Sequence, residues 1–145
     1  MEWRWVTPLS DVTIIEKVEK LIHYRYPEAY KKIVMQYNGA IPKAMIFDTT
    51  LTEERVFNNL ISLEDGTLEG ALDDVLAGKI NQWSYDGLPW RYIPFGSDPF
   101  GNFICFDRET DHVVFFDHEF EDIEEVADSF TEFLDLLYDD DEDEE

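Results

Sequence analysis

The sequence is short of the features that mark disulfide-bonded, membrane-spanning or metal-dependent proteins. It has one cysteine, Cys105, so no internal disulfide can form. That thiol sits in the apolar run NFICFD with no basic neighbour to lower its pKa, which reads as a small buried hydrophobe and not a nucleophile. No stretch approaches the roughly 18 consecutive apolar residues of a membrane helix. The start, MEWRWVTPLSD, lacks the basic head, apolar centre and small-residue cleavage site of a secretory signal. Together these absences lead us to expect a cytoplasmic protein that does not engage a membrane.

Histidine is scarce too: His23, His112 and His118 are all there are. No G-x-S-x-G, H-E-x-x-H, C-x-x-C or calcium-loop spacing occurs. If 112–118 is one strand, His112 and His118 face the same way but lie roughly 20 Å apart at ~3.3 Å per residue, too far to share an ion. Paired carboxylates say little, because a chain this rich in acids always brings some together. We therefore expect no catalytic residue, no metal and no cofactor. A small hydrolase using acidic residues and a metal, a third reading, would require a stoichiometric ion and measurable turnover.

Cations are the scarcest group relative to their opposites: 11 Lys and Arg against 34 Asp and Glu, a net charge of −23. The final run DDDEDEE supplies seven acids, so most of the excess belongs to the rest of the chain. Direct nucleic-acid binding is disfavoured, since each phosphate contact would bring like charges together. A basic protein partner is favoured, because a negative field speeds and orients its approach. The same charge would also serve solubility alone.

What is present is a foldable core. At 145 residues, 44% apolar and 15% aromatic, the chain has the makings of one ordinary domain. Ser10 or Asp11 can cap a first helix whose buried stripe is Ile14, Ile15, Val18, Leu21 and Ile22. Pro27 suits the first position of a second helix, lined by Ala29, Tyr30, Ile33, Val34 and Tyr37 and ended by Asn38-Gly39. AMIF (44–47) and VFNNLISL (56–63) contain strands, 67–82 reads as a helix, and WRYIPF, NFICFD and HVVFFD read as strands. A closing helix is expected from about Ile123 to Tyr138. This order predicts an α+β domain with a central antiparallel sheet and helices packed around it, covering residues 1–138, with 139–145 a disordered acidic tail.

The stretch FGSDPFGNFICFD (95–107) invites a ligand-loop reading and does not sustain it. A phosphate cradle needs glycines leading into a helix, whereas here a strand follows and no Lys or Arg sits in the loop. Gly96 and Gly101 instead permit tight turns, and Asp98 and Asn102 can bond nearby backbone N–H groups. The loop joins two strands.

These pieces, in this order, resemble the SUKH superfamily (Smi/Knr-like), which contains bacterial immunity proteins and fungal cell-wall regulators. The resemblance rests on IIEKVEKL with Glu19 at the acidic position, YPEAYKKIVMQYNGAIP, VFNNLISL, the signature-like IPFGSDPFGNFICFD, HVVFFD and SFTEFL, over roughly residues 10–138. Where the family often has Gly-Asp, this chain has Gly101-Asn102, one charge fewer in the loop. Trp3 or Trp5, before the first helix, would pack across the sheet. The resemblance implies a non-catalytic binder that neutralises a cognate bacterial toxin, favouring a basic nuclease domain; the alternative is a regulatory module binding another protein, as in the fungal regulators. A homodimer is compatible with either.

Candidate contact residues lie in NQWSYDGLPW, where Trp83, Tyr85 and Trp90 sit among turn residues. Asp86, Asp98, Asp107, Asp111, Asp117 and Glu119, with Asn102 of the signature loop, could form a polar rim around them. For each carboxylate the plainer role is a solvated surface charge. If the tail 139–145 assists encounter, deleting it should slow association with a basic partner more at low salt than at high, measured by stopped flow; a salt-independent difference would remove it from the mechanism.

Overall fold

A computed structural model of the chain describes residues 2–5, 8–9, 13–61, 63 and 88–139. Helix α1 (Thr13–Ile22) forms because apolar residues recur at three- and four-residue steps, and it buries Ile14, Ile15, Val18 and Ile22. Leu21, expected on that stripe, is 39% exposed. Ser10 and Asp11, its expected caps, lie outside the described residues, as does the expected helix 67–82. The chain leaves α1 through His23 in the left-handed region (φ 54°). Helix α2 (Glu28–Tyr37) starts directly after Pro27 and buries Tyr30 and Val34. Gly39, at φ 72°, supplies the left-handed residue that turns the chain out of it.

Two short antiparallel pairings frame the sheet. β1 (Trp3–Arg4) pairs with β2 (Ile41–Pro42), and β3 (Ile46–Phe47) with β4 (Arg55–Val56). β5 (Asn59–Leu60) joins the main sheet, whose order is β5-β6-β7-β8-β9 with β6 at Tyr92–Ser97, β7 at Phe103–Asp107, β8 at Val113–Asp117 and β9 at Asp122–Ala127. Every neighbouring pair is antiparallel. The last helix, α3, spans Phe130–Leu136. The architecture is an α+β single domain. Among the described residues no helix is long and apolar enough to cross a membrane.

The core lies between one sheet face and the helices. Phe95 and Phe106 stack with centroids 4.4 Å apart, and Tyr30 of α2 with Phe130 and Phe133 of α3 meet them edge-on or tilted. The opposite face carries a second buried group, Leu88, Cys105, Val114 and Phe116. Cys105 is fully buried, and burial pushes its thiol pKa up. Trp3 stacks on Tyr37 and meets Phe57 edge-on, while Trp5 is 77% exposed.

Two expectations need correction. The closing helix does not begin near Ile123: residues Asp122–Ala127 are β9, drawn into extended form by pairing along the whole of β8. The helix starts only after Ser129, whose Oγ accepts the Glu132 N–H at 3.1 Å. Gly96 is not a turn residue. It lies inside β6 next to an irregularity in pairing at Pro94/Gly96, and an added Cβ would come within 2.7 Å of the Phe57 ring. Close approach by Phe57 requires glycine there.

Replacing Ser129 with Ala should lower stability by about 1 kcal/mol, with Ser129→Asp retaining most of it. Urea midpoints at unchanged slope check this, and an Ala variant as stable as the parent would place the helix start elsewhere.

Candidate partner-binding surface

The antiparallel order sends the β6–β7 turn (98–102) and the β8–β9 turn (118–121) to one end of the sheet, and the β7–β8 turn (108–112) to the other. This divides the predicted site residues into two groups. Asp98, Asn102, Asp117 and Glu119 gather at the first end; Trp90, Asp107 and Asp111 gather at the second. Trp83, Tyr85 and Asp86 lie outside the described residues.

At the second end the charges satisfy one another. Arg91 clamps Asp107 with two hydrogen bonds of 3.0 and 2.9 Å and also meets Glu109 at 2.9 Å. Burial opposes the Asp107 charge, but the Arg91 hydrogen bonds and the Glu109 backbone N–H outweigh it and hold the carboxyl below its usual range. Arg108 donates to the Ile22 and His23 carbonyls, capping the end of α1, and lies 4.3 Å from the Trp90 ring. Asp111 accepts from the Tyr24 hydroxyl at 2.6 Å. Trp90, though 56% exposed, is thus a platform for an arginine of its own chain.

At the first end the polar side chains build a rigid support. Asp98 Oδ1 accepts the N–H groups of Phe100 and Asn102, and Oδ2 accepts from the Asn102 amide. Asn102 Oδ1 then accepts the His118 N–H at 3.0 Å, while His118 Nε2 meets the Phe100 carbonyl at 2.9 Å. A carbonyl only accepts, so this nitrogen carries the hydrogen. These contacts tie the two hairpin tips together. Gly101 is needed at φ 87°, where a Cβ would also press on the His118 ring at 3.3 Å. Asp98 and Asn102 are 7% exposed and Asp107 5%; all three spend their polar atoms internally and do not form the expected rim.

What the support presents outward is apolar and acidic. Phe100 at one tip is 75% exposed and Phe120 at the other 71%. Asp117 accepts the Glu119 and Phe120 N–H groups through Oδ1. Glu119, Glu121 and Asp122 are exposed, and no cation pairs with them among the described residues. The two phenylalanines escaped the sequence reading, which weighed tryptophans and carboxylates. The signal was an isolated large apolar residue inside a polar turn, in DPFGN and DHEFED.

Behind the tips, Arg55 reaches from β4, 4.2 Å from the Phe115 ring, to pair with Glu124 at 2.8 Å. Thr49 and Thr52 also donate to Glu124, pinning the 49–52 loop against β9. Burial again works against the Glu124 charge, and Arg55 with the two hydroxyls overcomes it, so this carboxyl too is held low. A larger groove of about 660 Å³ runs along α1 and α2, lined by mixed charges of which Lys31 already pairs with Glu19 and Glu28. Among the described residues no group of three or more His, Cys, Asp or Glu could hold a metal ion.

Fold and surface together define an α+β domain built on a five-stranded antiparallel sheet, with one end of that sheet acidic and apolar. A family model described as SMI1-KNR4 cell-wall (SUKH_6) matches residues 13–134, and the chain belongs to that family, within the SUKH superfamily. No curated protein matches the chain. Membership points to protein partners in general and is compatible with a protein-binding module of the immunity type.

Because the Glu124 carboxyl is held below its unfolded value, its contribution is full above the unfolded carboxylate range, near pH 4.3, and is lost as pH falls through the lower folded value. Glu124→Gln should therefore cost about 2–3 kcal/mol at pH 7 and lose less stability than the parent on acidification. Urea midpoints from pH 7 to pH 3 check it; parallel curves for the two proteins would contradict the pairing.

Proposed function

We propose that the protein acts by binding, without catalysis, as an immunity protein that neutralises a cognate bacterial toxin, with a basic nuclease domain as the favoured target. The observation that carries this reading is the segregation of charge along the chain. Eighteen of the 34 acids and none of the 11 Lys and Arg lie beyond Arg108. That segment includes β8, β9 and the turn bearing Phe120. A nuclease groove that grips phosphates is basic, so an acidic surface can occupy it as a polyanion would. Charge would set the rate of approach, and exposed rings would supply affinity.

The cell-wall description of the matched family favours a second reading, a regulatory module that binds a signalling or cell-wall protein. Co-expression separates the two. Paired with the toxin domain encoded by an adjacent gene, the protein should restore growth and co-purify with it. A folded, abundant protein that neither rescues nor co-purifies with any adjacent toxin would reject the first reading and favour the second.

A further inference from the structure

Between the two hairpin tips lies a hollow of about 260 Å³ lined by Arg55, Phe100, Asn102, Asp117, His118 and Glu119. This is smaller than the roughly 300–1,000 Å³ of sites that enclose a drug-sized ligand, and suits one side chain. The arginine among its described lining residues is already engaged: Arg55 is held by Glu124 at 2.8 Å and stands 3.9 Å from Asp117 Oδ2. Asp117, which lines the hollow, spends Oδ1 on the turn N–H groups and keeps acceptor capacity on Oδ2, beside Arg55. Glu119 adds an exposed carboxylate to a lining that also includes the exposed Phe100. Among the described lining residues, an anion would meet both carboxylates and no lysine or arginine beyond the paired Arg55. A cation meets two acceptors and an aromatic ring.

We propose that this hollow seats an arginine side chain of a basic protein partner. The guanidinium lies against Phe100, where ring and cation attract, and donates to Asp117 Oδ2 and Glu119. Arginine suits the place better than lysine because its flat fork can stack and bridge at once. Phe120, on the neighbouring tip, covers apolar surface around the contact. The seat is pre-formed, since the Asp98–Asn102–His118 hydrogen bonds fix both tips before any partner arrives. This placement rests on the protein-binding reading above and deepens it.

The test is a two-dimensional amide NMR titration of the full chain with the tripeptide acetyl-Gly-Arg-Gly-amide, and with its neutral analogue carrying citrulline for arginine. The arginine peptide should give saturable shifts at 100–102 and 117–120, with a Kd of the order of millimolar, and the citrulline peptide none. Phe100→Ala and Glu119→Gln should each weaken binding about threefold or more, while Glu109→Gln at the other end leaves it unchanged. All three positions are at the surface, and the dispersion of each spectrum reports that the variant is folded. Shifts scattered over all carboxylates, shifts confined to the other end, or equal shifts with citrulline would overturn the assignment. Growth rescue by the Phe100→Ala, Glu119→Gln double variant as complete as by the parent would also overturn it, leaving the toxin reading intact. Saturable arginine binding in the hollow without toxin rescue would uphold the seat and remove a toxin as its occupant.

Discussion

Among the described residues, the main core is centred on the stack of Phe95 against Phe106. These rings belong to adjacent strands, β6 and β7, and both are fully buried. Tyr30, Phe130 and Phe133 close over them from α2 and α3, and Phe57 approaches from the loop between β4 and β5. Each large ring removes on the order of 150–250 Å² from water, so a handful of them can hold two helices on a sheet. Phe57 can reach Phe95 only because residue 96 is glycine. The cluster also carries a cost: the hydroxyls of Tyr26 and Tyr30 are buried without a hydrogen-bond partner among the described residues.

Anchoring the centre of β6 and β7 frees their ends for other work, and the two ends have diverged. At the α1 end, arginines 91 and 108 neutralise carboxylates and cap a helix, so charge is consumed in joining elements. At the opposite end, buried Asp98 and Asn102 do the joining. The outward carboxylates and two phenylalanines are thereby left to solvent. Exposed rings on this frame add little to the stability of the isolated chain, which suits the partner surface proposed above.

The legible parts of the sequence were those governed by a single local rule. Ile14, Ile15, Val18 and Ile22 announced α1, and NFICFD and HVVFFD announced β7 and β8, because periodicity and β-branched or aromatic content agreed. The family signature was readable for the same reason, and the turn at 98–102 behaved as its Asp and Asn required. Failures came where a tertiary partner overrode local pattern. Ile123 and Val126 sit at helical spacing, yet β8 claimed that segment as a strand. Gly96 looked like a turn glycine until Phe57 showed why a side chain cannot fit. The candidate carboxylates were identified by type alone, and type cannot distinguish Asp98, buried in a hairpin turn, from Glu119, exposed beside a phenylalanine.

In the proposed mode of binding, partners meet the end of the sheet bearing Phe100 and Phe120. Hydrogen–deuterium exchange of the protein with and without a co-purified partner tests it most directly. Slowed exchange at 99–102 and 117–122, with 108–112 unchanged, is the predicted result. Protection confined to 108–112 and the Trp90 region would contradict it.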